Sequence, residues 1–218
     1  MTRRPLITTP MAAGLLALTT LSTGSCTHAA SAPQRTLASD RAQARYSLRA
    51  LDLQLSDLPA GYTQKLGRYW TNAQRARVDG VSVRTYERQG RLLSYEAQFE
   101  RDSLVGMTYL DVTVIAYEDA PAAHRAFTDN ARSLASGSAA RSGLRPISVG
   151  RLGSERQGFI LSTTQQGFAL SGDAVVFRRG RYMVTAIAGG VSGTYSIALL
   201  TRLLGRVDGR IMAAGVSS

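Results

Sequence analysis

The sequence predicts one α+β domain, an antiparallel sheet with helices packed mainly on one face. Three observations carry that expectation. Tyr109 to Tyr117 alternates: Leu110, Val112, Val114 and Ala116 face one way, while Tyr109, Asp111, Thr113, Ile115 and Tyr117 face the other. Three strand-like segments then follow between Phe159 and Ala188, the last two joined by a tight turn. From Thr194 onwards Ile197, Leu200, Leu203, Leu204 and Val207 recur at helical spacing, the pattern of an amphipathic helix. Strand–helix followed by three strands and a helix favours antiparallel pairing of neighbours.

The elements can be justified in chain order. Arg3 and Arg4, the apolar run Met11 to Leu21 and the small residues Thr23, Gly24 and Ser25 have the layout of a secretory leader. The sole cysteine, Cys26, follows directly, as in a bacterial lipobox, where the thiol is acylated (with palmitate or a similar chain) and becomes the first residue of the mature protein. The lipobox prefers Leu where this chain has Thr23. An ordinary cleavage after Ala30-Ser31-Ala32 is the alternative, with Pro33 unfavourable just beyond the cut. The apolar run is too short for a transmembrane span, which needs about 20 residues. The expected organisation is therefore a lipoprotein leader over 1–25, a small, polar, Pro-containing tether over 26–39, and a single domain over 40–218.

Ser39 can cap a helix beginning at Asp40, on which Arg41, Arg45 and Arg49 share one face. Leu51 to Leu55 alternates and reads as a short strand ended by the turn Asp57-Leu58-Pro59-Ala60-Gly61-Tyr62. Thr71 or Asn72 can cap a helix running to Arg77; within Tyr86 to Arg101, Leu92, Tyr95 and Phe99 suit a helical face while Ser94 to Glu100 also reads as a strand, and a strand after the Gly90 turn is the favoured reading. Asp119 can cap the helix that runs to about Ser136, and Ser136 to Arg145 reads as a loop. The later strands are expected over Phe159 to Thr164, Gly167 to Arg178 with a bulge at Gly172, and Tyr182 to Ala188. Arg179-Gly180 is the expected turn between the last two, Gly189 and Gly190 the end of the third, and Thr194 the cap of the final helix.

Composition bounds the chemistry. Removing 25 residues from 218 leaves 193, enough to bury a core without disulfides. Of 26 basic residues only Lys65 is lysine, which a GC-rich genome explains as well as phosphate or carboxylate recognition does. Loss of Arg3 and Arg4 lowers the net charge from +11 to +9, still attractive to anionic lipid or acidic polymers. Nucleic acid is not an expected partner outside the cytoplasm. The densest basic cluster is Arg178, Arg179 and Arg181, a possible contact for an acidic partner or simply a solvated hairpin tip. Arg41, Arg45 and Arg49 form a second possible contact for an anionic membrane surface.

Catalytic motifs are not evident. His124 is the one histidine beyond the tether and lies in the helical Ala122-Ala123-His124-Arg125-Ala126 setting, without a nucleophile elbow elsewhere. Ligands for zinc or calcium are too few or wrongly spaced, and no P-loop or dinucleotide fingerprint appears. Gly189 to Gly193 before a helix could cradle an anion, but reads more simply as a loop ending. Glu87, Glu96, Glu100 and Asp111 could supply a carboxylate pair for a glycosidase, though each also fits an exposed strand or turn position. No cofactor or metal is expected.

Three phrases carry a resemblance: Asp57-Leu58-Pro59-Ala60-Gly61-Tyr62, Val114 to Ala120 running into Ala123 to Phe127, and Val175 to Tyr182. They resemble extracytoplasmic lipoproteins of high-GC bacteria. The architecture is similar to that of PsbP/Mog1-like lipoproteins and of the extracellular sensor domain of a mycobacterial receptor kinase, over roughly Leu51 to Ile211. The kinase sensor domain carries disulfides, which this chain cannot form, and the resemblance brings no catalytic motif. The expected function is a lipid-anchored, non-enzymatic binding or interaction domain on the extracytoplasmic side of a bacterial membrane, using the sheet face that the helices leave open. The alternatives are an envelope-polymer hydrolase working through a carboxylate pair and a structural envelope lipoprotein. Closely spaced buried carboxylates would favour the hydrolase.

Overall fold

A computed structural model describes residues 48–103, 105–136, 144–165, 168–194 and 196–214. The leader, the tether with Cys26, and Arg41 and Arg45 lie outside the described residues, as does most of the loop expected between Ser136 and Arg145. A helical turn at 48–51 and a 3₁₀ turn Leu55–Asp57 lead into β1 (Tyr62–Trp70). Then come α1 (Asn72–Asp79), α2 (Val83–Arg88), β2 (Arg91–Arg101), β3 (Met107–Tyr117) and α3 (Ala120–Ser136). The second half is β4 (Arg145–Ile147), β5 (Glu155–Gln165), β6 (Phe168–Arg179), β7 (Tyr182–Val191) and α4 (Ile197–Ala213).

The strands form one seven-stranded sheet, ordered β1-β2-β3-β7-β6-β5-β4, with every neighbour antiparallel. Two meanders, each followed by a helix, therefore meet at the β3–β7 pair, where Val114 lies opposite Val184. Strand alternation separates two apolar layers. On one face Tyr95, Ala97 and Phe99 of β2, Leu110, Val112 and Val114 of β3, Val184 and Ala186 of β7, and Val175 and Phe177 of β6 pack with Leu200, Leu203, Leu204, Val207 and Ile211 of α4. Leu48, Leu51, Leu53 and Leu58 from the N-terminal segment join this main core. On the other face Ile115, Tyr117, Val176 and Met183 pack with Ala122, Ala123, Ala126 and Phe127 of α3.

The single-domain α+β expectation stands. α3 and the α1–α2 pair lie on one face, while α4 covers the larger core on the other. The cause is legible in β3, where Ile115 and Tyr117 make one end of the second face apolar and give α3 something to bury.

Several local expectations are corrected. Leu51 to Leu55 is not a strand. Leu51 and Leu53 are buried and Leu55 is 44% exposed, because the chain turns where Asp57 Oδ2 accepts the Gln54 N–H at 2.8 Å. Arg210 of α4 fixes that turn, donating to Asp57 Oδ1 at 2.7 Å and to the Asp52 carbonyl at 2.7 Å. β1, α2 and β4 are additions to the elements expected from the sequence. β1 is an edge strand with mostly exposed side chains, so its sequence lacks an apolar stripe. There is no bulge at Gly172, which pairs continuously with Leu161 and Gly189. The tight turn is Gly180-Arg181 rather than Arg179-Gly180, because Arg179 still pairs with Tyr182, and β7 continues through Gly189 and Gly190 to Val191. Ser196, not Thr194, caps α4, its Oγ accepting the Ala198 N–H at 3.1 Å. Thr194 Oγ1 instead accepts the Gly106 N–H at 3.0 Å, tying the β2–β3 connection to the end of β7. The expected caps at Thr71 and Asp119 are present, accepting from Gln74 N at 3.3 Å and Ala122 N at 2.7 Å.

Asp208 clamps α4 to the sheet, accepting from Arg179 Nη2 at 2.8 Å and from the Gly153 N–H at 3.0 Å. Gly153 has φ +56°, and a Cβ there would overlap the Arg178 carbonyl oxygen. Gly153→Ala is expected to destabilise the fold by about 2 kcal/mol or more in denaturant unfolding. Gly205, inside α4 with open space where a methyl group would stand, should behave oppositely: Gly205→Ala gains about 0.5–1 kcal/mol.

Candidate functional site

The second sheet face is only partly covered. α3 packs on β3, β7 and β6 at one end, and α1 and α2 pack on β1 and β2. Gln98, Tyr109, Asp111, Thr185 and Ile187 share this face and are half-buried. Among them sits a pair of carboxyl groups.

β2 and β3 build the pair. Antiparallel pairing sets Gln98 opposite Asp111 and Glu96 opposite Thr113, so the polar-phase residues of the two strands meet. Gln98 Nε2 donates to Glu96 Oε1 at 2.7 Å and to Asp111 Oδ2 at 2.8 Å, bridging the two acids with one nitrogen. Tyr109 donates its hydroxyl to Asp111 Oδ2 at 3.3 Å. Trp70, on β1, donates its indole N–H to Glu96 Oε2, and Arg75 Nη1 lies 3.7 Å from that oxygen. Arg75 is also bound to Asp79 at 2.9 Å, and the Arg68 guanidinium stacks over the Trp70 ring at 3.5 Å.

The surroundings treat the two acids differently. Glu96 is 6% exposed, yet it has the indole donor and a nearby guanidinium. Asp111 has no ion pair among the described residues. Burial, then the Glu96 charge, push its carboxyl up to about 7, against the pull of the Gln98 and Tyr109 hydrogen bonds. The Tyr109 hydroxyl is raised as well, by burial and by Asp111 beside it. Asp111 therefore keeps its proton well above the usual carboxylate range, beside the Glu96 carboxylate.

This is the juxtaposition that the sequence left undecided. Glu96 and Asp111 are brought together and substantially buried rather than exposed, whereas Glu87 and Glu100 are exposed. Gln98, Tyr109 and Trp70 carry no motif that marks them in the sequence. Their signal is the phase of the strands, which puts Glu96 and Gln98 of β2 and Tyr109, Asp111 and Thr113 of β3 on one face, but the hairpin register is needed to see who meets whom. Among the described residues no group of three or more His, Cys, Asp or Glu side chains is placed to hold a metal ion.

The other candidate residues lie elsewhere. The three tip arginines diverge. Arg178 is bound to Glu155, which also contacts the exposed His124 Nδ1 at 2.7 Å. Arg179 is bound to Asp208 on the opposite face, and Arg181 stands 5.5 Å from the Tyr182 ring centroid. Arg49 is exposed, and its carbonyl accepts from Gln54 Nε2 at 2.7 Å. Gly189 and Gly190 are strand residues, so they form no anion cradle before α4.

The indole–carboxylate contact is testable by a double-mutant cycle. Trp70→Phe keeps the ring under Arg68 but removes the donor to Glu96, and should cost about 1–3 kcal/mol. With Glu96→Gln as the second change, the coupling energy should be about 1 kcal/mol. Additive effects in urea unfolding would contradict the contact.

No protein family and no curated protein matches the chain. Among solved structures it is similar to the extracellular domain of PknH from Mycobacterium tuberculosis, with a TM-score of 0.52 and 10% sequence identity over 78% of this chain and 94% of that one. The likeness is one of fold.

Proposed function

We propose that this chain is an extracytoplasmic binding domain, held to a bacterial membrane through an acylated Cys26, whose contact surface is the half-covered sheet face around Gln98, Tyr109, Asp111, Thr185 and Ile187. The observation that carries this reading is the carboxyl pair. A buried acid pair costs stability unless it is hydrogen-bonded and useful. An apolar residue at either position would extend the packing already made by Ile115 and Tyr117. The extracellular setting of the structural neighbour and the leader-like segment before Cys26 support the location.

The hydrolase reading has the same pair in its favour and loses on geometry. Glycosidases hold their two acids about 5–5.5 Å apart or farther so that the scissile bond lies between them. Here one Gln98 nitrogen bridges the two acids, at 2.7 Å to Glu96 and 2.8 Å to Asp111, so an amide of the chain itself takes the place between them. His124 is exposed and engaged by Glu155, away from the pair. The basic remainder of the surface is assigned to anionic lipid or acidic polymer at the membrane, with Arg41, Arg45 and Arg49 nearest the anchor in sequence.

Two experiments test this reading. The mature chain should partition into detergent and Cys26→Ser should move it to the soluble fraction; an unmodified N-terminus at Pro33 in intact-mass measurement would overturn the anchor. For the contact face, Thr185→Arg and Ile187→Arg should leave the melting temperature within a few degrees yet abolish genetic complementation, while His124→Ala should leave both intact. Full complementation by both arginine variants would remove the face from the function.

A further inference from the structure

Charge is unevenly placed on this molecule. Among the described residues the exposed acids are Glu87, Glu100, Asp102, Glu118, Asp119 and Asp129. They sit on α2, at the end of β2 and just beyond it, and before or on α3. Among the described residues, α4 and the N-terminal segment 48–58 expose none. Asp208 and Asp52 are buried, and Asp57 is occupied by Arg206 and Arg210.

Cations remain on that side. α4 carries Arg202, Arg206 and Arg210 at four-residue spacing, so they form one row along the helix. Arg202 is exposed, and the Arg206 side chain is 50% exposed although it reaches Asp57. Two pieces of chain flank the helix. The 48–58 segment is tied to it by Arg210 and brings the exposed Arg49. The 149–153 loop is tied to it by the Gly153 N–H on Asp208 and brings the exposed Arg151. A helix face turned to water ordinarily carries charged and polar residues throughout. Here the arginines stand among Ala198, Gly205, Gly209, Met212 and Ala213, all exposed. A Cβ added at Gly205 or Gly209 would meet nothing within 4 Å, so the surface between the arginines is smooth. The exposed Leu55 lies in the turn that Asp57 and Arg210 pin beside it. α3 differs: its exposed side mixes His124, Arg125 and Arg132 with Asp129, to which Arg132 is bound.

We propose that the outer side of α4, flanked by Arg49 and Arg151, is the surface that lies on an anionic lipid bilayer. Guanidinium groups match lipid phosphates in geometry and charge, and basic groups close to an anionic bilayer are held to it electrostatically. Small residues between the arginines let the helix approach the headgroups, and the exposed Leu55 and Met212 supply apolar contact. The described chain enters the domain at the buried Leu48, in the segment that Arg210 holds against α4, so a tether from Cys26 arrives on this side. Gln98 and Asp111 lie across the sheet from α4. Docking through α4 therefore turns the half-covered face away from the membrane and leaves it open to a partner. The inference rests on the reading of Cys26 as a membrane anchor, and it names the side of the domain that meets the lipid.

The experiment is vesicle co-sedimentation of the mature chain, residues 26–218 with Cys26→Ser, so that no acyl chain contributes. Vesicles of equal phosphatidylglycerol and phosphatidylcholine are compared with phosphatidylcholine alone, at low and at physiological salt. Binding to the anionic vesicles alone, weakened by salt, is expected. Arg202→Ala with Arg206→Ala should weaken it about tenfold or more. Arg125→Ala with Arg132→Ala, an equal loss of charge on α3, should leave it nearly unchanged. Gly205→Glu with Gly209→Glu removes no contact and should also weaken it, which decides the matter if loss of Arg206 loosens the 48–58 segment. No binding to the anionic vesicles, or equal losses in the α4 and α3 variants, overturns the inference. It is also overturned if the anionic vesicles are not bound while the α4 variants lose retention on immobilised polyglutamate, or lose a dimer in sedimentation. The face then belongs to an acidic polymer or to a second copy. Because Cys26 is replaced throughout, failure here leaves the acylation of Cys26 standing, and failure of the detergent partition leaves this binding standing.

Discussion

The register of β2 against β3 is the constraint on which the rest of the molecule depends. Ala97 opposite Val112 and Phe99 opposite Leu110 place the apolar side chains of both strands beneath α4. The same register puts Gln98 opposite Asp111 and gathers Glu96, Tyr109 and Thr113 on the other face. Because side chains alternate every residue, sliding one strand by a single position would bring its acids under α4 and expose its aromatic and aliphatic residues. The main core and the carboxyl pair are thus two results of one pairing. Gly106, tied to Thr194 Oγ1 at 3.0 Å, fastens the connection between the strands to the far meander.

Charge is used in two ways. The chain carries a net +11, and most of its paired acids serve to hold elements together. Asp57 holds Arg210 and Arg206 and so pins the N-terminal segment to α4. Asp208 holds Arg179 and the Gly153 amide, and Glu155 holds Arg178 and His124. Each of these acids ends on a cation. Asp111 does not, although arginine is abundant, and its carboxyl is met by an amide, a phenol and another acid. In a protein this basic, a half-buried acid kept away from arginine distinguishes one patch of the surface from all those stabilised by ordinary ion pairs.

Much of the fold was legible from short-range patterns. The alternation of Tyr109 to Tyr117, the Asp119 cap and the spacing of Leu200, Leu204 and Val207 gave β3, α3 and α4 nearly to their ends, because each has one face that must be buried. β1 was illegible for the opposite reason: as an edge strand it exposes Thr63, Gln64, Lys65, Gly67 and Arg68 and has no periodic signal. The leucines at 51, 53 and 55 mimic a strand, yet Asp57 and Arg210 turn the chain there, a contact separated by 153 residues. The site was half legible. Glu96 and Asp111 could be named as acids, but their meeting depends on a strand pairing that no local pattern encodes. The tip arginines are adjacent in sequence and diverge in space because consecutive strand residues point to opposite faces.

The raised proton affinity of Asp111, buried beside Glu96, sets this face apart from the rest of the surface. Carboxyl-carbon NMR titration of the chain, with both side chains assigned, measures it directly. The expected result is that Asp111 keeps its proton well above the usual carboxylate range and releases it near pH 7. Asp111 titrating at about pH 4, as an unperturbed acid does, would contradict it.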